Sequence, residues 1–510
     1  MIMDTLKVKK KNHAVITVEC SDYGIANELS EFFKFEVPNA KFTPAFKAKV
    51  WDGFIRLYDG RTQELPAGLY PYLKEFCKPR GYRIDVEHDN YYGRPDSVNE
   101  LNLKDLTDFV ADCKLTTGGK SIDPREYQME AICEGIHRKR AILLSPTGSG
   151  KSLIIYLLMR WVLSLTDKRV LIIVPTTSLV QQMYGDFEDY STADDDWNVA
   201  DWCHRIYSGK PKHNVQERVF ISTWQSVYKL PGQWFEQFYG VFGDECHGFK
   251  SKSLTNIMNK CRDAEYRFGT TGTLDGTTTH KLVLEGLFGK IYNVTTTKKL
   301  MTAGTLAPLE IKMLMLKWPE QFRKNLGKIE YHQEIDHIVR SEARNKLITN
   351  LALDLDGNTL VLFQFVDKHG KVLYDLIKNK AHERRKIFYV SGETETSDRE
   401  AIRKIVESQT NGIIVASLGT FSTGINIKNL HNIVFASPSK SQIKILQSIG
   451  RGLRKSDNNA TTQLYDIADD IHWKGKKNYT LTHAAERAKI YDREGFKYNI
   501  YEIDLKHEDK

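Results

Sequence analysis

No apolar run in these 510 residues is long enough to cross a bilayer; stretches such as Ala141 to Leu144 and Val170 to Val174 reach strand length only. The N-terminus lacks the apolar core of a secretion signal. No membrane association is therefore expected. Cysteine is scarce and unpatterned: seven residues, an odd number, with no C-x-x-C pair, which argues against a disulfide framework or a zinc site and for a reducing cytoplasm. Low-complexity tracts and short-period repeats are missing too. What remains is an ordinary globular composition, 41% hydrophobic, with a net charge of +8. That charge is compatible with a polyanionic partner but does not identify one. The length exceeds what one hydrophobic core usually supports, so three or four units are expected.

From about Asp123 onward, short β-branched runs alternate with longer helical patterns, the rhythm of βαβ units around a parallel sheet. It occurs twice. The first set comprises Ala141 to Leu144, Val170 to Val174, Val219 to Ser222, Val241 to Phe242 and Tyr266 to Gly269. The second comprises Thr359 to Phe365, Lys386 to Val390, Gly412 to Ala416, Asn432 to Ala436 and Gln463 to Ile467. Between them, Trp318 to Asn350 reads as a charged linker and a helix. Before Asp123 the rhythm is absent, and residues 1 to about 115 read as a separate small α+β unit.

The strand Ala141 to Leu144 runs into Ser145-Pro146-Thr147-Gly148-Ser149-Gly150-Lys151-Ser152, after which a helix pattern begins. Small residues here let backbone N–H groups converge on phosphates at a helix N-terminus, where anions are favoured. Pro146, Thr147, Gly148, Ser149 and Gly150 would cradle the nucleotide, Lys151 would neutralise its β and γ phosphates, and Ser152 would ligate magnesium. The G-x-x-x-x-G-K-[ST] pattern departs at its first position, which is Ser145. Further on, Tyr239 to Phe242 ends in Gly243-Asp244-Glu245-Cys246-His247, placing two carboxylates at the C-terminal edge of a strand, where open α/β sheets bind ligands. Asp244 suits the magnesium shell, and Glu245 suits orienting and deprotonating an attacking water. Upstream, Arg125 and Gln128 open a helix, and a glutamine amide can pair with an adenine edge. In the second set, Gln447 to Arg454 carries Arg451 and Arg454 on one helical face, able to stabilise transition-state charge. Each motif alone also reads as an ordinary turn, acidic loop or basic helix face.

Together and in this order, these residues resemble the motif series of superfamily 2 helicases, from Arg125 to about Asp470. The resemblance implies two RecA-like parallel-sheet motor domains in tandem behind a small N-terminal α+β domain. The expected division is 1–115 accessory nucleic-acid-binding domain, 116–305 ATP-binding domain, 306–350 linker and helix, 351–475 second motor domain and 476–510 a basic, helical C-terminal segment. It implies strand-backbone contacts at Val174 to Gln182, through Pro175 and Thr176, and at Ser222 to Ser226, through Thr223 and Gln225. Gly269 to Thr273 resembles the motif coupling hydrolysis to strand movement, with glycine where alanine is more common. Phe363 to Phe365 and Ser417 to Asn426 resemble strand- and ATP-contact motifs, bringing in Gly424 and Asn426, the latter in place of a frequent aspartate. The implied cofactors are ATP and Mg2+. The implied activity is an ATP-dependent DNA helicase or translocase acting on forks, Holliday junctions and R-loops in recombination, repair and replication. An RNA helicase or RNA–DNA hybrid remodeller is the alternative. The segment Phe35 to Gly53 looks like the accessory domain placed before phage motors of this kind, which would place the chain in a host cell's cytoplasm. Within and beside it Lys41, Lys47, Lys49 and Arg56 interleave with Phe42, Phe46, Trp51 and Phe54, which suits phosphate contact plus base stacking. Lys41, Lys47, Lys49, Trp51 and Arg56 are the nucleic-acid candidates, and branch preference is expected to come from this unit. DNA is the expected partner, an RNA–DNA hybrid a further candidate, and a monomer the expected state.

Overall fold

The computed structural model describes residues 4–506 except 39, 88–102, 214, 275–276, 328, 425–426, 428, 438–440, 442–448, 451–452, 454–460 and 476–477. The chain forms two compact units, Met1–Ser145 with Gly150–Val294, and Pro146–Ser149 with Thr295–Lys510.

The first unit opens with β1 (Thr5–Lys10) and β2 (Val15–Cys20), an antiparallel pair. Alternation puts Leu6, Val8, Ile16 and Val18 wholly inside, the pattern of a sheet with one dry face. A separate small pair follows, β3 (Lys34–Glu36) with β4 (Phe54–Arg56). Adding β5 (Glu64–Pro66) and β6 (Arg83–Glu87) gives a four-stranded sheet ordered β5-β2-β1-β6. Helices Tyr23–Phe32 and Tyr70–Cys77 bury Ile25, Leu29, Leu73 and Phe76 in the same core. A short hairpin, β7 (Thr116–Thr117) and β8 (Lys120–Ser121), leads on to the helix Glu126–Arg138.

The first large sheet uses β9 (Arg140–Leu144), β10 (Arg169–Val174), β11 (Cys203–Ile206), β12 (Val219–Thr223), β13 (Phe238–Asp244), β14 (Tyr266–Thr271) and β15 (Ile291–Asn293), ordered β11-β12-β10-β13-β14-β9-β15. The second uses β16 (Leu309–Lys317), β17 (Thr359–Phe363), β18 (Ile387–Val390), β19 (Ile413–Ser417), β20 (Asn432–Phe435), β21 (Thr462–Asp470) and β22 (Tyr498–Asp504), ordered β18-β19-β17-β20-β21-β16-β22. Every pairing in both is parallel. Numbered from its own first strand, each sheet has the same order, 3-4-2-5-6-1-7, so the second is a topological repeat of the first. Inner strands such as β10, β12 and β19 are buried almost end to end, which is why they read as continuous apolar runs rather than alternations.

Four strands lie outside the runs marked from sequence: β11, β15, β16 and β22. The first two are very short, and β11 carries His204 and Arg205. β22 is an edge strand with mostly exposed side chains, so it shows no apolar pattern. β16 and β22 fall in the ranges 306–350 and 476–510, which sequence treats as linker and tail, yet both are strands of the second sheet. Glu334, fully buried on the helix Tyr331–Arg340, ties that tail in. Its carboxylate accepts from the backbone N–H of Tyr479 at 2.9 Å and Thr480 at 2.6 Å, at the start of the helix Tyr479–Glu494, where a negative charge meets the helix dipole favourably.

The N-terminal sheet is docked on the first large sheet within one unit. Arg140, which starts β9, donates to the His13 carbonyl at 2.5 Å, and the His13 N–H donates to the Arg262 carbonyl at 3.0 Å. Tyr72 donates to Glu285 on the helix Thr278–Phe288, and Leu282 of that helix belongs to the N-terminal core. Gly68 meets the same helix so closely that a Cβ there would fall 2.0 Å from the Glu285 carbonyl oxygen. Gly68→Ala is therefore expected to destabilise the first unit by about 1–3 kcal/mol, the usual range for overpacking, read as a lowered melting temperature; an unchanged melt would show that the contact is not tight. His13 supplies a second test. Its imidazole pKa is pushed down to about 3, by burial above all and by Lys10, Arg140 and Arg267, against the pull of Glu265. A base whose folded pKa lies below its unfolded value near 6.5 takes up its proton more readily when unfolded. This stability is complete above about pH 6.5 and drains as pH falls toward 3. Replacing His13 with Asn should flatten the loss of melting temperature between about pH 6.5 and 5, above the range where ordinary carboxylates dominate.

Candidate nucleotide and nucleic-acid site

The sheet order sets β13, β14 and β9 side by side, so three C-terminal strand ends meet at one edge. β9 leads into the phosphate-type loop. Ser145 is fully buried there and donates its N–H to the Thr271 carbonyl at 2.9 Å, locking the loop's entry to the end of β14. Ser149 closes a tight turn, its hydroxyl donating to the Pro146 carbonyl at 2.6 Å. Gly148 and Gly150 have φ of +83° and +80°, left-handed values that glycine adopts without a steric penalty. The helix Lys151–Ser164 starts directly after, and the N–H groups left over at any helix N-terminus favour an anion. The Lys151 ammonium lies 3.3 Å from the Ser145 carbonyl, folded over the loop, and the Ser152 hydroxyl hydrogen-bonds the Tyr190 hydroxyl at 2.9 Å.

At the end of β13, the Asp244 carboxylate is buried and accepts from the Thr270 hydroxyl at 2.8 Å. Burial raises its pKa, the neighbouring Glu245 raises it further, and Lys151 pulls it back. Glu245 sits at φ +49°, a left-handed conformation uncommon for a non-glycine residue, of the kind found at functional turns. Its carboxylate lies 3.3 Å from His247 Nδ1, and that nitrogen lies 3.0 Å from the Thr271 hydroxyl. Thr270 and Thr271 thus link both carboxylates of the D-E-C-H turn to the end of β14. They were not singled out individually from sequence, because only the strand order reveals the adjacency. His247 and Tyr190 carried no signal of their own. The sheet also explains Gly269: a Cβ there would lie 2.9 Å from both Cβ and Sγ of Cys246, so the cysteine one residue after Glu245 leaves no room for alanine.

A donor set of one buried carboxylate and one hydroxyl, Asp244 and Ser152, fits magnesium, which is commonly held by one or two carboxylates, waters and substrate phosphates. Bound ATP with Mg2+ would supply the phosphoryl group and the charge that balances it. Among the described residues no cluster of three or more His, Cys, Asp or Glu could hold another metal.

The remaining candidates distribute as follows. Gln128 is buried; its carbonyl accepts the Arg125 backbone N–H at 2.8 Å and its amide reaches the Gly150 carbonyl at 3.5 Å, so it braces the phosphate loop. The Arg125 guanidinium donates to the Tyr127 hydroxyl at 2.9 Å. β10 and β12 are neighbours with Val174 opposite Thr223, which brings Pro175 and Thr176 to the same sheet edge as Thr223 and exposed Gln225. Thr176 caps the helix Thr177–Tyr190 through its hydroxyl, which accepts from the Leu179 N–H. Gly424 ends the helix Leu418–Gly424, while Asn426, Arg451 and Arg454 lie outside the described residues. In the N-terminal sheet region, Lys41, Lys47 and Lys49 are exposed on the short helical turns and the loop between β3 and β4. Arg56 instead pairs with Asp52 at 2.5 Å, and Trp51 donates its indole N–H to the Phe54 carbonyl at 2.8 Å. Among the described residues no helix is long and apolar enough to cross a membrane.

Family comparisons agree with this layout. Residues 5–87 match the family "DNA helicase UvsW, N-terminal", residues 121–276 match "Type III restriction enzyme, res subunit", and residues 342–456 match "Helicase conserved C-terminal domain". The ATP-dependent DNA helicase uvsW of Enterobacteria phage T4 is 36% identical over 98% of this chain and 100% of its own. The chain belongs to the UvsW family of DNA helicases. The crystal structure of T4 UvsW covers 98% of the present chain and all of its own, at 34% identity and a TM-score of 0.50. A more distant relative, the DNA 3'-5' translocase XPB2 of Sulfurisphaera tokodaii, is 23% identical over 71% of this chain and 84% of its own. This UvsW-family member is accordingly an ATP-dependent DNA helicase, with two RecA-like parallel-sheet domains behind the N-terminal domain.

Two substitutions test the site. Lys151→Ala should abolish DNA-stimulated ATP hydrolysis while leaving the melting temperature near wild type, since it removes charge from a loop and not a core contact. Glu245→Gln should bind ATP but not turn it over, because an amide cannot accept the water's proton. Turnover within about tenfold of wild type, roughly 1.4 kcal/mol of barrier, would mean that another group is the base.

Proposed function

We propose that this helicase remodels branched DNA, that is forks, four-way junctions and R-loops, by ATP-driven translocation, with the N-terminal unit supplying the preference for branches. The observation that carries this reading is the docking of that unit on the first motor sheet, through Arg140, His13 and Gly68. Motor contacts to the strand backbone carry no branch information, so discrimination requires surface outside them, held in a fixed place. The exposed segment between β3 and β4, which carries rings as well as lysines, offers such a surface.

In the proposed cycle, Lys151 neutralises the terminal phosphates, Ser152 and Asp244 hold Mg2+, and Glu245 deprotonates the attacking water while His247 and Thr271 orient its carboxylate. Arg125 and Gln128, at the start of the helix Glu126–Arg138, are the candidates for contact with the adenine. Arg451 and Arg454 are the candidates for transition-state charge. Thr176 and Thr223 grip the strand from the edge they share. The protein works as a monomer in the cytoplasm of a phage-infected host, and an RNA–DNA hybrid is a second substrate. The decisive measurement is Mg2+-dependent ATPase rate and affinity against single-stranded, duplex, forked and four-way DNA, an RNA–DNA hybrid and RNA, at one salt concentration. Forked and four-way DNA should bind most tightly. Equal affinity for linear duplex would overturn the branch reading, and stimulation by RNA alone would make the protein an RNA helicase.

A further inference from the structure

The turn between β3 and β4 shows apolar side chains to solvent. Phe42 is 65% exposed and Val50 78%, on a segment with lysines at 41, 47 and 49 and no acidic residue from 40 to 51. A slack loop would not be informative, but this one is built. Val37 donates to the Gly53 carbonyl at 2.8 Å, Val50 to the Ala45 carbonyl at 3.1 Å, and the Thr43 hydroxyl to the Ala40 carbonyl at 2.7 Å. Trp51 anchors one end through Phe54. Gly53, at φ +84°, lets Phe46 and Ala40 close over it; a Cβ there would lie 3.1 to 3.3 Å from both. Phe46 and Trp51 are therefore struts, and Arg56 is occupied by Asp52. Phe42 and Val50 project to solvent on this built segment, and large exposed apolar groups in such company mark a binding surface.

The three lysines have no carboxylate within ion-pair distance among the described residues. Residues 40–51 thus carry positive charge alone, and Lys41 lies 5.4 Å over the Phe42 ring. An apolar peptide would be served by the ring and the valine but not by three free ammonium groups. A nucleic-acid end satisfies both, because bases stack on exposed rings while phosphates take the cations.

We propose that Phe42 and Val50 form a stacking knob that covers the last base pair at a DNA branch, with Lys41, Lys47 and Lys49 holding the adjoining phosphates. This rests on the branched-substrate reading above and names the surface that would produce it. Both apolar residues are exposed, so Phe42→Ala with Val50→Ser should fold and melt like wild type. In the full-length protein, the ratio of forked to linear duplex affinity at matched salt should fall about tenfold, the scale of one lost base–ring stack. Phe42→Trp should restore it. A 2-aminopurine placed at the paired–unpaired boundary should change its emission on binding wild type and not on binding the double variant. Replacing the three lysines with Gln should instead weaken forked and linear binding alike and flatten the salt dependence. A double variant that keeps the wild-type ratio and fluorescence response overturns the knob and leaves the branched-substrate reading standing. A wild type without any fork preference overturns both. A double variant that loses only self-association in sedimentation, with its fork preference intact, makes the knob a contact between copies of the chain and overturns the proposal.

Discussion

A carboxylate taken out of water is costly unless something charged or hydrogen-bonding meets it, and Asp244 is such a group. The Lys151 ammonium, the Thr270 hydroxyl and the Glu245 backbone N–H support its charge at the edge of the first sheet. Burial and the adjacent Glu245 both work against its charge. A divalent cation would relieve that tension directly. The surrounding geometry holds this edge together: Ser145 is locked to β14, Gly269 is bare so that Cys246 can pack, and Glu245 takes a left-handed turn directly after Asp244.

The second sheet repeats the strand order but resolves its buried acids differently. Asp469 accepts from the Arg344 guanidinium at 2.8 Å and from the Trp318 indole at 3.1 Å, and Asp466 pairs with Arg487 at 2.7 Å. Each is paired with an arginine that is itself buried. The loop after β16 fits the contrast. Where β9 is followed by glycines and Lys151, β16 is followed by Trp318 and Pro319, which can neither bend around phosphates nor charge them. Two buried acids of the second sheet thus have arginine partners within the fold, whereas Asp244 has a lysine and hydrogen-bond donors against the opposing effects of burial and Glu245. The duplication of fold is therefore not a duplication of chemistry.

Much of this was readable in the chain because buried parallel strands are apolar from end to end; Val170 to Val174 needed no context to be seen. The phosphate-type loop and the D-E-C-H turn were readable for another reason: their chemistry demands particular residues at particular spacings. What stayed hidden depended on neighbours in space. Thr270 and Thr271 acquire meaning only when β14 lies between β13 and β9. β22 has no apolar pattern because it is an edge, and the tail it belongs to reads in sequence as a basic, helical segment, whereas Glu334 caps its helix and β22 joins the second sheet. The aromatic and basic residues of the N-terminal unit looked alike in sequence, whereas the fold divides them into struts, such as Trp51 and Phe46, and outward groups, such as Phe42 and Lys49.

The docking of the N-terminal unit has a mechanical consequence within the first unit. β9 begins at Arg140, which holds the His13 carbonyl, and ends at Leu144, one residue before the phosphate-type loop. Five strand residues span roughly 16 Å at the usual rise of about 3.3 Å each, and a strand paired on both sides by β14 and β15 is stiff over that distance. Arg267, at the neighbouring end of β14, is fully buried with its guanidinium donating to the Leu287, Cys261 and Met258 carbonyls, so the end that receives the accessory sheet is as firmly built as the end that carries the loop. The N-terminal sheet is thus fixed to the foot of β9, the strand that ends one residue before Ser145.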